Sequence, residues 1–291
     1  MTRTRPQNGT AQQTTTPAGT TEVPWNLVVP TVDVHLVGYG NRLPNDFTLE
    51  MLAVLRRCNR IFGVPPIHAP DFGIPTMESL LHLYGPGKPR IETYAEMVET
   101  VLDAAITDPP VAFATYGSAM VGTLATHRIL EEASRRGLTV HVTNAVSSFD
   151  GIWADFNIEP FFGFEIWEAS AFARLEIKPN TRANLLLPQA PVFDVVEGID
   201  PDRMTMRTST TITVLRDHLL RFYPADHMVH YIKTGSGAGP RLVGADVESI
   251  RLHDLDHPGR QQGSTLLVPR VVGSGPAQLD FDRPGEQARP R

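Results

Sequence analysis

The chain has 291 residues, 41% of them hydrophobic and 20% charged, with a mean hydropathy of -0.14. That is ordinary globular material, roughly twice a single-domain length of ~150 residues, and it excludes wholesale disorder. Lys and Arg number 26 against 32 Asp and Glu, a net charge of -6. This argues against nucleic acid as a partner, because phosphate neutralisation needs a basic face. The single cysteine, Cys58, can make neither an internal disulfide nor a cysteine-based zinc site. With no apolar run near the ~18 residues a membrane helix needs, a cytoplasmic protein without a membrane partner is expected.

Residues 1–24 are rich in Thr, Gln, Gly and Pro and read as a disordered leader. Val32 to Val37 reads as an apolar strand ending at Gly38-Tyr39-Gly40. Thr48 to Cys58 has helical periodicity with Thr48 as N-cap. Ile61 to Val64 is a second strand. Met77 to Tyr84 reads as a short helix closed by a Gly-Pro-Gly turn. Thr93 to Ile106 is a strongly amphipathic helix, Val111 to Tyr116 a third strand, Gly122 to Arg136 a helix closed by Gly137, and Val140 to Val142 a fourth strand. Alternating strands and helices predict a mainly parallel sheet, hence an α/β domain over 25–148.

Beyond that the pattern changes to strand-like runs at Asn184–Leu187, Met204–Val214, Met228–Ile232 and Thr265–Val272. Short helices are expected at Val214–Arg221 and Val247–Leu252. This predicts a second, α+β domain over 149–273, followed by a flexible tail over 274–291.

Several motifs carry chemistry. Gly38-Tyr39-Gly40 follows a strand and precedes a helix, where backbone N–H groups can approach a ligand. Leu43 and the missing acidic residue after the second strand rule out a dinucleotide fingerprint. Gly235 to Gly239 lacks the Lys-Ser/Thr of a phosphate loop and reads as a flexible hairpin. His227-x-x-His230 and His253-Asp254-Leu255-Asp256-His257 could offer metal ligands, but the second precedes Pro258-Gly259 and reads as a polar turn, so no metal is expected. Tyr84, Arg90 and Tyr94 are, on spacing alone, two half-buried phenols and a surface arginine. Read functionally, they are phenol and guanidinium donors around one substrate group.

In order, these segments resemble the tetrapyrrole methylase family of S-adenosylmethionine enzymes. Val34 to Gly40 with Thr48 to Leu52 is similar to the family's opening strand, Gly-x-Gly loop and "Thr-Leu-x-Ala" helix. Ala114 to Ala119 stands at its "Gly-Asp-Pro", and Asn144 to Phe149 at its "Pro-Gly-Ile-Ser-Ser". Within the family the chain most resembles borosin α-N-methyltransferases, which methylate peptide backbone amides. Asp150 to Pro160 is similar to their "Asp-x-Leu-x-Ala-Asp-Leu-x-Ile-Asp-Pro", Glu168 to Phe172 to their "Glu-Ala-Ser-Asp-Phe", and Ser264 to Pro269 to their "Ser-Thr-x-Tyr-Val-Pro". The Tyr84/Arg90/Tyr94 spacing is the borosin catalytic spacing. Leu81 replaces a further active-site tyrosine, and Gln278 to Arg291 does not resemble an apolar core peptide.

The resemblance implies a two-domain fold with the methyl donor, S-adenosylmethionine, in the cleft between domains, and a homodimer. It implies a donor site lined by Gly38, Gly40, Tyr116, Gly117, Ser118, Ala119, Ser147, Ser148, Leu185, Leu186 and Leu187. It assigns Arg90 and Tyr84 to oxyanion stabilisation and Tyr94 to positioning or proton removal, the two tyrosine roles being interchangeable. The acceptor it implies is a peptide or peptide-like product supplied as a separate molecule. The alternatives are N- or O-methylation of a small biosynthetic intermediate or a tetrapyrrole, and a non-catalytic partner that binds donor or peptide.

Overall fold

A computed structural model describes residues 27–200, 207, 209–256 and 264–271. The expected leader and tail, His257 and most of the Met204–Val214 run's first half lie outside the described residues. In chain order the elements are β1 (Val34–Gly38), β2 (Arg42–Leu43), α1 (Leu49–Leu55), β3 (Arg60–Val64), β4 (Glu78–Ser79), α2 (Arg90–Thr107), β5 (Val111–Thr115), α3 (Leu124–Arg135), β6 (Val140–Val142), α4 (Ser148–Asp155), β7 (Phe164–Ile166), α5 (Ala169–Arg174), β8 (Asn184–Pro188), α6 (Ile212–Leu219), β9 (Met228–Lys233), β10 (Gly237–Ala238), β11 (Asp246–Arg251) and β12 (Thr265–Val268). Among the described residues no helix is long and apolar enough to cross a membrane.

The first sheet has the order β4-β3-β5-β1-β6 and is parallel throughout, as the alternating pattern predicts. Its three inner strands, β3, β5 and β1, are buried on both faces. Met51, Val54 and Leu55 of α1 pack with Val37, Tyr39 and Ile61 on one side. Met97, Val101 and Leu102 of α2 and Ile129 of α3 pack with Val34, Leu36 and Phe113 on the other. Thr48 caps α1 as expected, its Oγ1 accepting the Met51 N–H at 3.1 Å. The helix predicted from Thr93 begins three residues earlier, at Arg90.

The second sheet has the order β11-β9-β12-β8-β7; β7 and β8 are parallel and the other pairs antiparallel. Phe172 of α5 and Ile212, Leu215 and Leu219 of α6 cover one face. Ile152 of α4 packs with Leu186, Ile232 and Leu267 on the other. The Gly235–Gly239 segment, expected to be a flexible hairpin, contains β10, which pairs with β2 and so joins the second sheet to the first. Its Gly237 N–H donates to Asn41 O at 2.9 Å.

Three local expectations are corrected. Met77 to Tyr84 is not one helix but β4 followed by a single 3-10 turn at Leu81–Leu83. Met77 enters the core on the α1 side of the sheet and Leu80 the core on the α2 side. One helical face cannot serve both, so the chain crosses the sheet edge here. Val247 to Leu252 is the edge strand β11 for the most part, not a helix. Val247 packs on the α4 side and Ile250 on the α6 side, the opposite-face placement a strand gives at i and i+3. Residues 212–214, expected in a strand, open α6, because Ile212, Leu215 and Leu219 form one helical stripe. Helices α4 and α5 arise where periodicity predicts no element.

Candidate active site

The Tyr84/Arg90/Tyr94 group is assembled within eleven residues of chain. Arg90 is the first residue of α2, and Tyr94 lies one turn further on, where residues i and i+4 share a face. Tyr84 follows the 3-10 turn, its N–H donating to Leu81 O at 3.1 Å. The Gly85–Lys88 turn then folds the chain back. Lys88 Nζ donates to Leu83 O at 2.8 Å and to Glu96 Oε2 at 2.6 Å, tying this loop to the helix. Tyr84 is buried, 8% exposed, and Tyr94 packs half-buried on the same core.

The Tyr84 hydroxyl is hydrogen-bonded to Tyr94, and burial pushes its pKa far above the usual phenol value. The neighbouring Tyr94 and Tyr116 push in the same direction, and Arg90 pulls back only in part. Tyr84 is therefore a neutral hydrogen-bond donor at any physiological pH. Tyr116 completes the phenol cluster. The residue is 61% exposed, and desolvation and the neighbouring Tyr94 raise its pKa.

Arg90 is aimed from the other half of the molecule. Its Nη2 donates to Val195 O at 2.7 Å and its Nη1 to Gln189 Oε1 at 3.4 Å. Its backbone N–H donates to Val196 O at 3.0 Å, Gly198 N–H donates to Lys88 O at 3.3 Å, and Pro89 bridges Glu197. The 189–198 strap is anchored by Asp194, whose N–H donates to Ser170 Oγ at 3.0 Å and whose carboxylate pairs with Arg174. Arg90, Tyr94, Gln189, Asp194 and Val195 line one cleft of about 520 Å³. This strap was not legible in the sequence. Gln189 and Asp194 adopt left-handed backbone angles, φ 64° and 62°, and only Asp carries a residue-type hint of that.

The other expected residues are placed as follows. Gly38 is needed for close approach: a Cβ there would meet Gly117 O at 2.4 Å and Ala145 Cβ at 2.6 Å. Gly40 and Gly117 hold φ of 78° and 62° and exchange two backbone hydrogen bonds, of 3.1 and 2.8 Å, that zip the loops after β1 and β5 together. The Ser118 Oγ accepts the Met120 N–H at 3.3 Å, and Ala119 is fully buried. Ser147 is turned to a structural task, since its hydroxyl and N–H both engage Asp150 in the capping box of α4, and Ser148 is that helix's first residue. Leu185 and Leu187 point into the α5/α6 core and Leu186 into the α4 core. Only backbone atoms of these three leucines are left to face a ligand. Leu81 packs on the first core beside Tyr84.

The described histidines of the two clusters are each engaged by another partner, His253 Nδ1 with Ala225 O at 2.9 Å. His227 Nε2 is bonded to Pro269 O at 2.8 Å and His230 Nδ1 to Ser249 Oγ at 2.7 Å. Among the described residues no group of three His, Cys, Asp or Glu side chains could hold a metal ion.

Comparison with known proteins fits this geometry. The sequence profile of tetrapyrrole (corrin/porphyrin) methylases matches residues 33–248. The methyltransferase/ribosomally synthesized cyclic peptide dendrothelin A precursor of Dendrothele bispora is 29% identical over 203 residues, which is 68% of this chain and 48% of that protein. The corresponding omphalotin A precursor of Omphalotus olearius is 28% identical, again over 68% and 48%. The chain thus spans about half the length of the curated relatives it matches. Among solved structures, the uroporphyrin III C-methyltransferase of Thermus thermophilus superposes with a TM-score of 0.53 at 14% identity, covering 81% of this chain and 91% of that one. A cobalt precorrin-4 methyltransferase gives 0.51 at 14%, covering 81% and 94%.

Proposed function

The chain belongs to the tetrapyrrole methylase family, and from that premise we propose that it is an S-adenosylmethionine-dependent methyltransferase. Its acceptor in this reading is a backbone amide of a peptide or peptide-like molecule supplied separately. The observation that carries it is the pairing of Arg90 and Tyr94 on the wall of one cleft, with the neutral, buried Tyr84 hydroxyl next to both. The names of the curated relatives, each a methyltransferase joined to a cyclic-peptide precursor, support methyl transfer and a peptide as acceptor.

The residues fit the donor chemically. The zipped Gly40–Gly117 loops sit at the carboxyl end of a parallel sheet, between β1 and β5, whose following helices α1 and α3 cover opposite faces. Such a switch point is where open α/β sheets bind ligands. Electron-rich phenols at Tyr94 and Tyr116 suit a cationic ligand nearby. Gly38, Gly40, Tyr116 to Ala119, Ser147, Ser148 and the backbone of Leu185 to Leu187 would hold it. When bound, it supplies an activated methyl group.

The chain's own work is then directed at the acceptor. An amide nitrogen is a poor nucleophile because its lone pair is delocalised into the carbonyl. Arg90 and Tyr84 donate hydrogen bonds to the amide oxygen as it gains negative charge, and these bonds strengthen as the reaction proceeds. The raised pKa of Tyr84 keeps its proton in place for that task. Tyr94, bonded to Tyr84 and lining the cleft, positions the amide or takes its proton.

The test is to incubate the full chain with S-adenosylmethionine carrying a deuterated methyl group and a pool of uncharged synthetic peptides, with and without EDTA. Mass spectrometry then reads label on the peptides and on the chain itself. Label on peptide nitrogen, unaffected by EDTA, is expected. Label on the chain's own residues would overturn the separate acceptor, and no donor binding by calorimetry would overturn the methyltransferase.

A further inference from the structure

We infer that Ser170 is a positioning residue for Arg90, acting through the backbone of Asp194 and Val195. This rests on the catalytic reading of Arg90 given above.

Arg90 stands where a cation is least welcome. It is the first residue of an 18-residue helix, whose N-terminal end carries the positive pole of the helix dipole. Its guanidinium therefore needs acceptors to fix it. The two it has are uncharged: the Val195 carbonyl at 2.7 Å and, more weakly, the Gln189 amide oxygen at 3.4 Å. Neutral acceptors orient the fork and leave its full charge for an acceptor's developing oxyanion. A carboxylate in the same place would have neutralised it.

The direction of the Val195 carbonyl is set one residue earlier. Asp194 is held at φ 62°, a left-handed conformation that L side chains rarely adopt. Such conformations persist where the surroundings over-determine them. Two backbone bonds do so, Asp194 N–H to Ser170 Oγ at 3.0 Å and Val195 N–H to Val192 O at 3.1 Å, and the first is the one a side chain supplies. Ser170 is itself fixed, 9% exposed, as the second residue of α5. That helix is capped by the Glu168 carboxylate, which accepts the Ala171 N–H at 2.7 Å. The Glu168-Ala169-Ser170 motif thus has a task that its sequence does not declare. Glu168 starts the helix, and Ser170 turns the strap so that a carbonyl meets Arg90 some 105 residues away in the chain.

The experiment uses the full chain labelled with 15N-arginine. Arginine side-chain NMR, with Arg90 assigned by loss of its signals in Arg90→Lys, reads whether the guanidinium is held. Separate, slowly exchanging Nη signals are expected in the wild type and averaged ones in Ser170→Ala. Ser170→Thr, which keeps the hydroxyl, restores them. Alanine favours a helix at this position, so the melting temperature should hold in Ser170→Ala while methyl transfer to the peptide pool falls about tenfold or more. Unchanged Arg90 signals in Ser170→Ala overturn the inference, whatever the activity. Wild-type rates in Arg90→Lys would instead overturn the catalytic reading, and the NMR comparison still decides what Ser170 does.

Discussion

His35 makes this protein sensitive to acid in a way that can be worked out in advance. It is the second residue of β1, 1% exposed, with its Nδ1 3.3 Å from His141 Nδ1 on the adjacent β6. His141 Nε2 is in turn 3.3 Å from Glu50 Oε1 on α1. Burial, then the like charge His141 would carry, then Arg57, lower the pKa of His35 from 6.5 to about 4. The unfolded chain therefore takes up a proton on this residue between pH 6.5 and 4 that the folded chain refuses. The contribution to stability is complete above pH 6.5 and is lost as the pH falls towards 4. Between pH 7.5 and 4.5 the loss is on the order of 2–3 kcal/mol, at 1.36 kcal/mol per pKa unit. That is a large fraction of a typical total of about 5–15 kcal/mol. Urea unfolding at a series of pH values reads it directly. His35→Gln keeps a polar group beside His141 but cannot titrate, and should flatten the curve in this window. Equal pH slopes for wild type and His35→Gln would refute the argument.

Two further outcomes test the site. Arg90→Ala and Tyr84→Phe should each lower turnover by about 10²–10³ while leaving donor affinity in calorimetry near wild type; a fall that merely tracks the folded fraction would make both residues structural. Gly198→Ala would place a Cβ 2.4 Å from Tyr84 Cδ1 and 2.8 Å from its Cε1. We expect a loss of about 1–3 kcal/mol in chemical unfolding together with slower methyl transfer, because the ring that must move is the one carrying the donor hydroxyl; a variant indistinguishable from wild type would show that the strap does not press on Tyr84.

What the sequence displayed and what it hid divide along physical lines. The first sheet was legible because its signals are local. Val111–Ala114 is a continuous apolar run and Val34–Val37 one broken only by His35, both buried on both faces, and Thr48 announces α1 by a cap that needs only the next three residues. The stretch around Met77 was not, because its apolar residues belong to two cores on opposite faces of the sheet. The edge strand β11 was hidden by a spacing of three between Val247 and Ile250, which suits a helix until the partner strand β9 is known. Likewise the spacing of Tyr84, Arg90 and Tyr94 could be read within one short segment. The ring of Tyr116 could not be placed among them, since β5 and α2 meet only through the fold.

The least legible features are those that join the two sheets, and they bear most directly on how the site works. One join is β2 against β10, with Gly237 bonded to Asn41, where Asp155 also receives Thr234 Oγ1 at 2.5 Å and the Gly235 N–H at 2.9 Å. The other is residues 88–90 against 196–198. The first pins the loop that follows β1, and the second pins the residue at the head of α2. Both joins are made largely of backbone hydrogen bonds, whose lengths tolerate little displacement. The second join lies at the edge of the cleft, where Arg90 and Val196 both line it. For a reaction governed by alignment, where a misplacement of ~1 Å can cost about a hundredfold, that arrangement puts stiffness where it counts. It also explains why Arg90 can be aimed by neutral oxygens. The strap that carries them is held on both sides, so no ion pair is needed to fix the guanidinium, and its charge stays free for the amide oxygen of the proposed reaction.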